Sequence, residues 1–97
     1  MGQYDISLAD GKAYTLAWRT AHSSLVKGFK IDKACIDDIF TDNPTAVSMR
    51  AYIGLDGSAP KLVMVGVDAA GNDLTANVYD HASPCPSVCD ISSPLNS

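Results

Sequence analysis

No run of apolar residues in this 97-residue chain approaches the roughly 20 needed to cross a bilayer as a helix, the longest being Leu62-Val63-Met64-Val65-Gly66-Val67. A membrane-spanning helix is therefore not expected. The opening Met1-Gly2-Gln3-Tyr4-Asp5-Ile6-Ser7 carries neither a positive cluster nor an apolar stretch, which argues against a secretory leader and for a cytoplasmic chain. Gly2 would suit a myristoyl acceptor, but that motif requires Ser or Thr at position 6, where Ile6 stands. Basic residues are few and scattered: seven Lys and Arg against eleven acidic residues give a net charge of −4. Binding to a nucleic-acid backbone or an anionic membrane surface is thereby disfavoured.

Catalytic signatures are missing as well. The seven glycines are dispersed among turns and strands, so no loop is built to cradle phosphate. Neither His22 nor His81 has a Ser or Cys at a spacing that suggests a nucleophile and its base. Asp68-Ala69-Ala70-Gly71-Asn72-Asp73 lacks the alternating oxygen ligands and closing Glu of a calcium loop. There are no internal repeats.

What is present is an ordinary globular composition, 46% apolar and 19% charged, in a chain long enough for one core and too short for two. Ser7 and Asp10 form a capping-box variant ahead of Leu8, Tyr14, Ala17, Trp18, Ala21 and Leu25, which predicts a helix over 8–22 with Tyr14 and Trp18 on its core face. His22 falls at its C-terminal end, where the helix dipole favours a partly positive imidazole. Gly28-Phe29-Lys30-Ile31 suits a short strand. Asp32 is the expected N-cap of a second helix over 33–40, which Pro44 brings to an end.

The period then changes. Val47, Met49, Ala51, Ile53 and Leu55 alternate with Ser48, Arg50, Tyr52 and Gly54, a strand over 46–55. Turn residues 56–60 lead into a second strand over 61–68, making an antiparallel hairpin whose second strand is central. A third strand is expected over 74–79. Residues 80–97 hold three of the five prolines, so regular structure is expected to stop near Tyr79. The fold expected is α+β, two helices on a small, mainly antiparallel sheet in the order α-β-α-β-β-β. Its domain spans 1–79 and an irregular tail spans 80–97.

Any special chemistry falls to the cysteines. Cys85 and Cys89 are separated by three residues, not the two of a thioredoxin-like pair or a zinc knuckle. If Cys85 capped a helix with Pro86 at its first position, one turn would set Cys89 over Cys85, and the helix N–H groups would favour a thiolate. Three readings stay open: plain structural thiols, a disulfide that docks the tail, or metal and redox chemistry. For zinc, His81, Cys85 and Cys89 would be three ligands, with Cys35, Asp80, Asp90 or another subunit supplying a fourth. No cofactor is required by the sequence.

The tail Cys85-Pro86-Ser87-Val88-Cys89-Asp90 with Ser93-Pro94-Leu95-Asn96 resembles the C-terminal signature of a family of small bacterial proteins of similar length. Arg50-Ala51-Tyr52-Ile53-Gly54-Leu55-Asp56, and Leu62 to Asp68 with Gly71-Asn72-Asp73, are similar to the strand and the strand-turn that precede that tail. The resemblance implies the architecture and the tail and carries no activity; His81 lies outside its pattern.

Arg50 and Tyr52 fall opposite the apolar set of their strand and should lie on an exposed or interfacial sheet face. A small sheet also leaves edges open to pairing with another chain. The function expected is a non-enzymatic interaction or self-assembling module, its partner itself or another protein. Arg50, Tyr52, Cys85, Pro86, Cys89, Pro94 and Leu95 would make its contacts. The alternative is a metal-binding or thiol-redox protein built on Cys85 and Cys89.

Overall fold

The structure is a computed structural model that describes residues 3–96; Gly2 and any acylation there lie outside them. Helix α1 spans Leu8–Ala21. The Ser7 hydroxyl accepts the N–H of Asp10 at 3.0 Å, and the N–H of His22 closes the last turn onto the Trp18 carbonyl. Strand β1 (Gly28–Ile31) precedes helix α2 (Lys33–Asp42). Asp32 does stand at the N-cap of α2, but its carboxylate makes no cap bond; it is taken by His81 instead.

Strands β2 (Ala46–Asp56), β3 (Ala59–Asp68) and β4 (Asp73–Tyr79) form one antiparallel sheet with β3 in the middle. Gly57 and Gly71 turn the two hairpins at φ 62° and 88°, a region closed to most side chains. Regular structure does not stop at Tyr79. Strand β5 (Ala82–Cys85) pairs antiparallel with β1 as a two-stranded ribbon, Pro84 opposite Phe29. Proline is tolerated there because each strand of a ribbon keeps one unpaired edge. A 3₁₀ turn, Pro94–Asn96, ends the irregular tail.

The fold is thus α+β, with its core between α2, the ribbon and one face of the sheet. Ile39 and Met64 are fully buried, Cys35 and Leu62 nearly so, and Phe29, Ile31, Met49, Tyr79 and Ala82 pack around them. Below them the C-terminus of α2 is closed by a polar cluster. The buried Asn43 donates to the Ile39 carbonyl at 2.7 Å and to the Tyr79 hydroxyl at 3.3 Å, and that hydroxyl donates to Asp42 at 2.7 Å. Burial, with the Asp42 carboxylate beside it, pushes the Tyr79 phenol up from its ordinary pKa.

Register decides the faces. Met49, Ala51 and Ile53 stand opposite Gly66, Met64 and Leu62, the side packed on α2, while Arg50 and Tyr52 stand opposite Val65 and Val63 on the other. Val65 and Val67 on that second face are buried. Arg50 and Tyr52 reach from β2 across β3 to the carboxylate of Asp73 on β4, roofing the central strand.

Helix α1 departs from expectation. It has no buried residue, and Tyr14 is 64% exposed although its spacing marks a core face. The core side of the sheet is already occupied by α2, and α1 rests chiefly on the 3₁₀ turn. The molecule is a plate of 39 × 38 × 22 Å with a radius of gyration of 15.1 Å. A compact chain of 100 residues has about 13 Å, so this one leaves much of its apolar surface in solvent.

The turn between β3 and β4 yields a pH prediction. Asp68 accepts the backbone N–H groups of Asn72 and Ala70 at 2.9 and 3.0 Å. These hold its carboxyl below the ordinary 3.8, Asn72 contributing most, against a smaller desolvation in the opposite sense. A lowered folded-state pKa stabilises above the unfolded value and is lost as pH falls through the folded one. The turn therefore loosens only below about pH 4, and Asp68→Asn removes that acid step; amide chemical shifts of Ala70 and Asn72 across an acid titration check it.

Candidate functional site

Two places concentrate unusual features. The first is the turn after β5, where Cys85 and Cys89 are joined as a disulfide with Cα atoms 4.8 Å apart, inside the normal span of such bridges. Cys85 is the last residue of a strand, not a helix cap. Its carbonyl accepts the N–H of Lys27 at 2.6 Å, and the N–H of Val88 returns to the Pro84 carbonyl at 2.8 Å. No helix N-terminus is therefore present to favour a thiolate. A groove of about 550 Å³ runs beside the bridge, lined among others by Thr15, Phe29, Val88 and Leu95.

The proposed zinc set is not assembled. The sulfurs of Cys85 and Cys89 are bonded to each other, and His81 Nε2 lies 2.8 Å from Asp32 Oδ2 in an exposed pair. Asp90 is engaged by the hydroxyl and N–H of Ser92, which hold its carboxyl below the ordinary value. Cys35 is buried in the core, and desolvation pushes its thiol pKa up despite a backbone hydrogen bond from His81. Among the described residues no three His, Cys, Asp or Glu side chains come together to hold an ion.

The rest of the tail lies on its own chain. The Arg19 guanidinium donates to the Leu95 carbonyl. Leu95 Cδ2 sits 3.4 Å from where a side chain on Gly11 would begin, and Pro94 lines a cleft with Ala13 and Leu16. Pro86 is exposed beside the bridge.

The second place is β2, an outer strand of eleven residues. Met49 packs on the core, while further along the same row Ile53 is 75% and Leu55 74% exposed, and Val47, in the bulge between Ala46 and Ser48, is 67% exposed. Arg50 and Tyr52 lie on the opposite, exposed face, tied to Asp73.

Sequence spacing singled out Arg50, Tyr52 and the cysteine pair but missed three partners: Asp73, Asp32 for His81, and α1 for the tail. Counting register back from the Gly71 turn sets Asp73 opposite Val67 and could have found the first. The other two join segments with no local pattern linking them.

No helix among the described residues is long and apolar enough to cross a membrane. Compared with known proteins, the chain matches no family model, no curated protein and no solved structure.

Proposed function

We propose that the chain is a non-enzymatic, self-associating module, and that the surface it offers to a second copy is the outer edge of β2 with its exposed apolar residues. One observation carries this reading: an edge strand of eleven residues leaves Ile53, Leu55 and Val47 largely in solvent. Exposed edges of that length are usually blunted by lysine, proline or a covering element. β2 has no lysine and no proline, and its charges, Arg50 and Asp56, cancel. The net −4 of the whole chain opposes association, and β2 adds no net charge to it.

Symmetry favours a second copy as occupant. Antiparallel pairing of β2 with itself about a two-fold through Tyr52 sets Met49 opposite Leu55 and Ala51 opposite Ile53 of the other chain. That register keeps both apolar rows on one face. The sheet would then run through six strands with the seam dry on the α2 side.

The test is Ile53→Lys combined with Leu55→Lys, read by light scattering and circular dichroism. The expected outcome is single-chain mass with an unchanged spectrum. A variant that keeps the wild-type mass, or a wild type already at single-chain mass at micromolar concentration, overturns the reading.

The disulfide favours a second reading, thiol exchange at Cys85 and Cys89. Zinc held by His81, Cys85 and Cys89 would need the bridge reduced and His81 released from Asp32. In the cytoplasm that we assign to the chain, the glutathione pool favours the dithiol.

A further inference from the structure

We propose that the Cys85–Cys89 bridge is a redox latch that fastens helix α1 to the rest of the molecule through the tail. Helix α1 lies at the periphery of the fold. The helix has no buried residue, its main tertiary partner is the 3₁₀ turn Pro94–Asn96, and the Trp18 indole N–H ties it locally to the Val26 carbonyl at 2.8 Å. Fixing α1 therefore means fixing residues 94–96.

Those residues are positioned from the bridge. The tail folds on itself through the N–H of Ser93 to the Asp90 carbonyl and of Asn96 to Ser93, and the Asn96 amide returns to Asp90. This small unit is anchored where Cys89 meets Cys85, and Cys85 in turn is held in the ribbon opposite Gly28. With the bridge closed, the segment carrying Leu95 starts from a point fixed on the core and delivers Leu95 to Gly11 and Arg19. With it open, residues 86–89 become part of a longer tether, and the entropy of ordering that tether opposes docking of the 3₁₀ turn.

The chemistry balances with a dithiol reductant. The sulfur–sulfur bond breaks, Cys85 and Cys89 each gain one proton and one electron, and the reductant gives up two of each and closes its own disulfide. The face of α1 beside Pro94 carries Ala9, Ala13 and Leu16, so reduction uncovers apolar helix surface without touching β2. The latch is independent of the self-association proposed above.

Amide hydrogen exchange on the full chain tests it, in oxidised glutathione and in a dithiol reductant, with mass recorded in both so that latch and assembly can fail separately. Reduction should lower protection of residues 8–21 by about two- to threefold, the effect of roughly doubling the tether, and leave 62–67 in β3 unchanged. Cys85→Ser with Cys89→Ser should match the reduced protein in either buffer. Leu95→Asp should reproduce the loss with the bridge intact. Equal protection of α1 in both redox states overturns the proposal. So does a loss that spreads to β3, or a bridge that does not form in oxidised glutathione.

Discussion

Ile39→Ala should lower the stability of the folded chain by about 2–5 kcal/mol, a large part of the about 5–15 kcal/mol typical of a domain. Ile39 is fully buried where α2 meets β3 and the ribbon, against Cys35, Leu62 and Met64. Removing its branched end leaves a void lined by residues from three elements, and none of them can move in alone without giving up its other contacts. The same substitution at Val78, 56% exposed on β4, should cost no more than about 0.5 kcal/mol. Urea unfolding with an unchanged slope checks the pair. Equal losses at the two sites would show that the core lies elsewhere.

Gly66→Ala should cost about 1–3 kcal/mol by overpacking, although an alanine is a better strand residue than glycine. A Cβ at Gly66 would lie 3.1 Å from Ala46 Cβ and 3.4 Å from Asn43 Cβ. Ala46 is held by its N–H to the Asn43 carbonyl, and Asn43 by its amide to Ile39 and Tyr79. The clash would therefore strain the closure of α2 as well as the start of β2. Tyr79→Phe, which weakens that cluster without adding volume, separates the two causes. If Gly66→Ala is neutral in denaturant, the close approach of β2 and α2 to β3 is wrong.

The element boundaries were legible because local rules set them. The period-two row from Met49 to Leu55, Gly57 and Gly71 at the hairpins, and the Ser7 cap each act within a few residues and appear where the sequence puts them, whereas Val47 falls in a bulge between Ala46 and Ser48. Tertiary placement was not so readable. Tyr14 and Trp18 have core spacing, yet a spacing says only that a face is apolar; which helix packs on the sheet depends on chain connection, and α2 is adjacent to β2 in sequence. β5 was hidden because Pro84 and Pro86 look like strand breakers, and pairing with β1 crosses more than fifty positions of sequence.

At the candidate site the same division holds. The alternation that put Arg50 and Tyr52 opposite the apolar row was enough to place them on the other face of the sheet. Asp32 was readable as a cap position, but its bond to His81 at a separation of 49 residues was not. The cysteine pair could be seen, whereas its state could not: a three-residue gap is compatible with free thiols, a bridge or a metal, and only the turn geometry after β5 brings the two sulfurs together.

The most direct measurement of the central claim is the native mass spectrum of the unmodified chain, purified without reductant or chelator, with Ile53→Lys/Leu55→Lys beside it. A defined multimer is expected for the first and a single chain for the second, both lighter by the two hydrogens of the bridge. A wild type found only as a single chain, or a double variant that keeps the multimer, would contradict it.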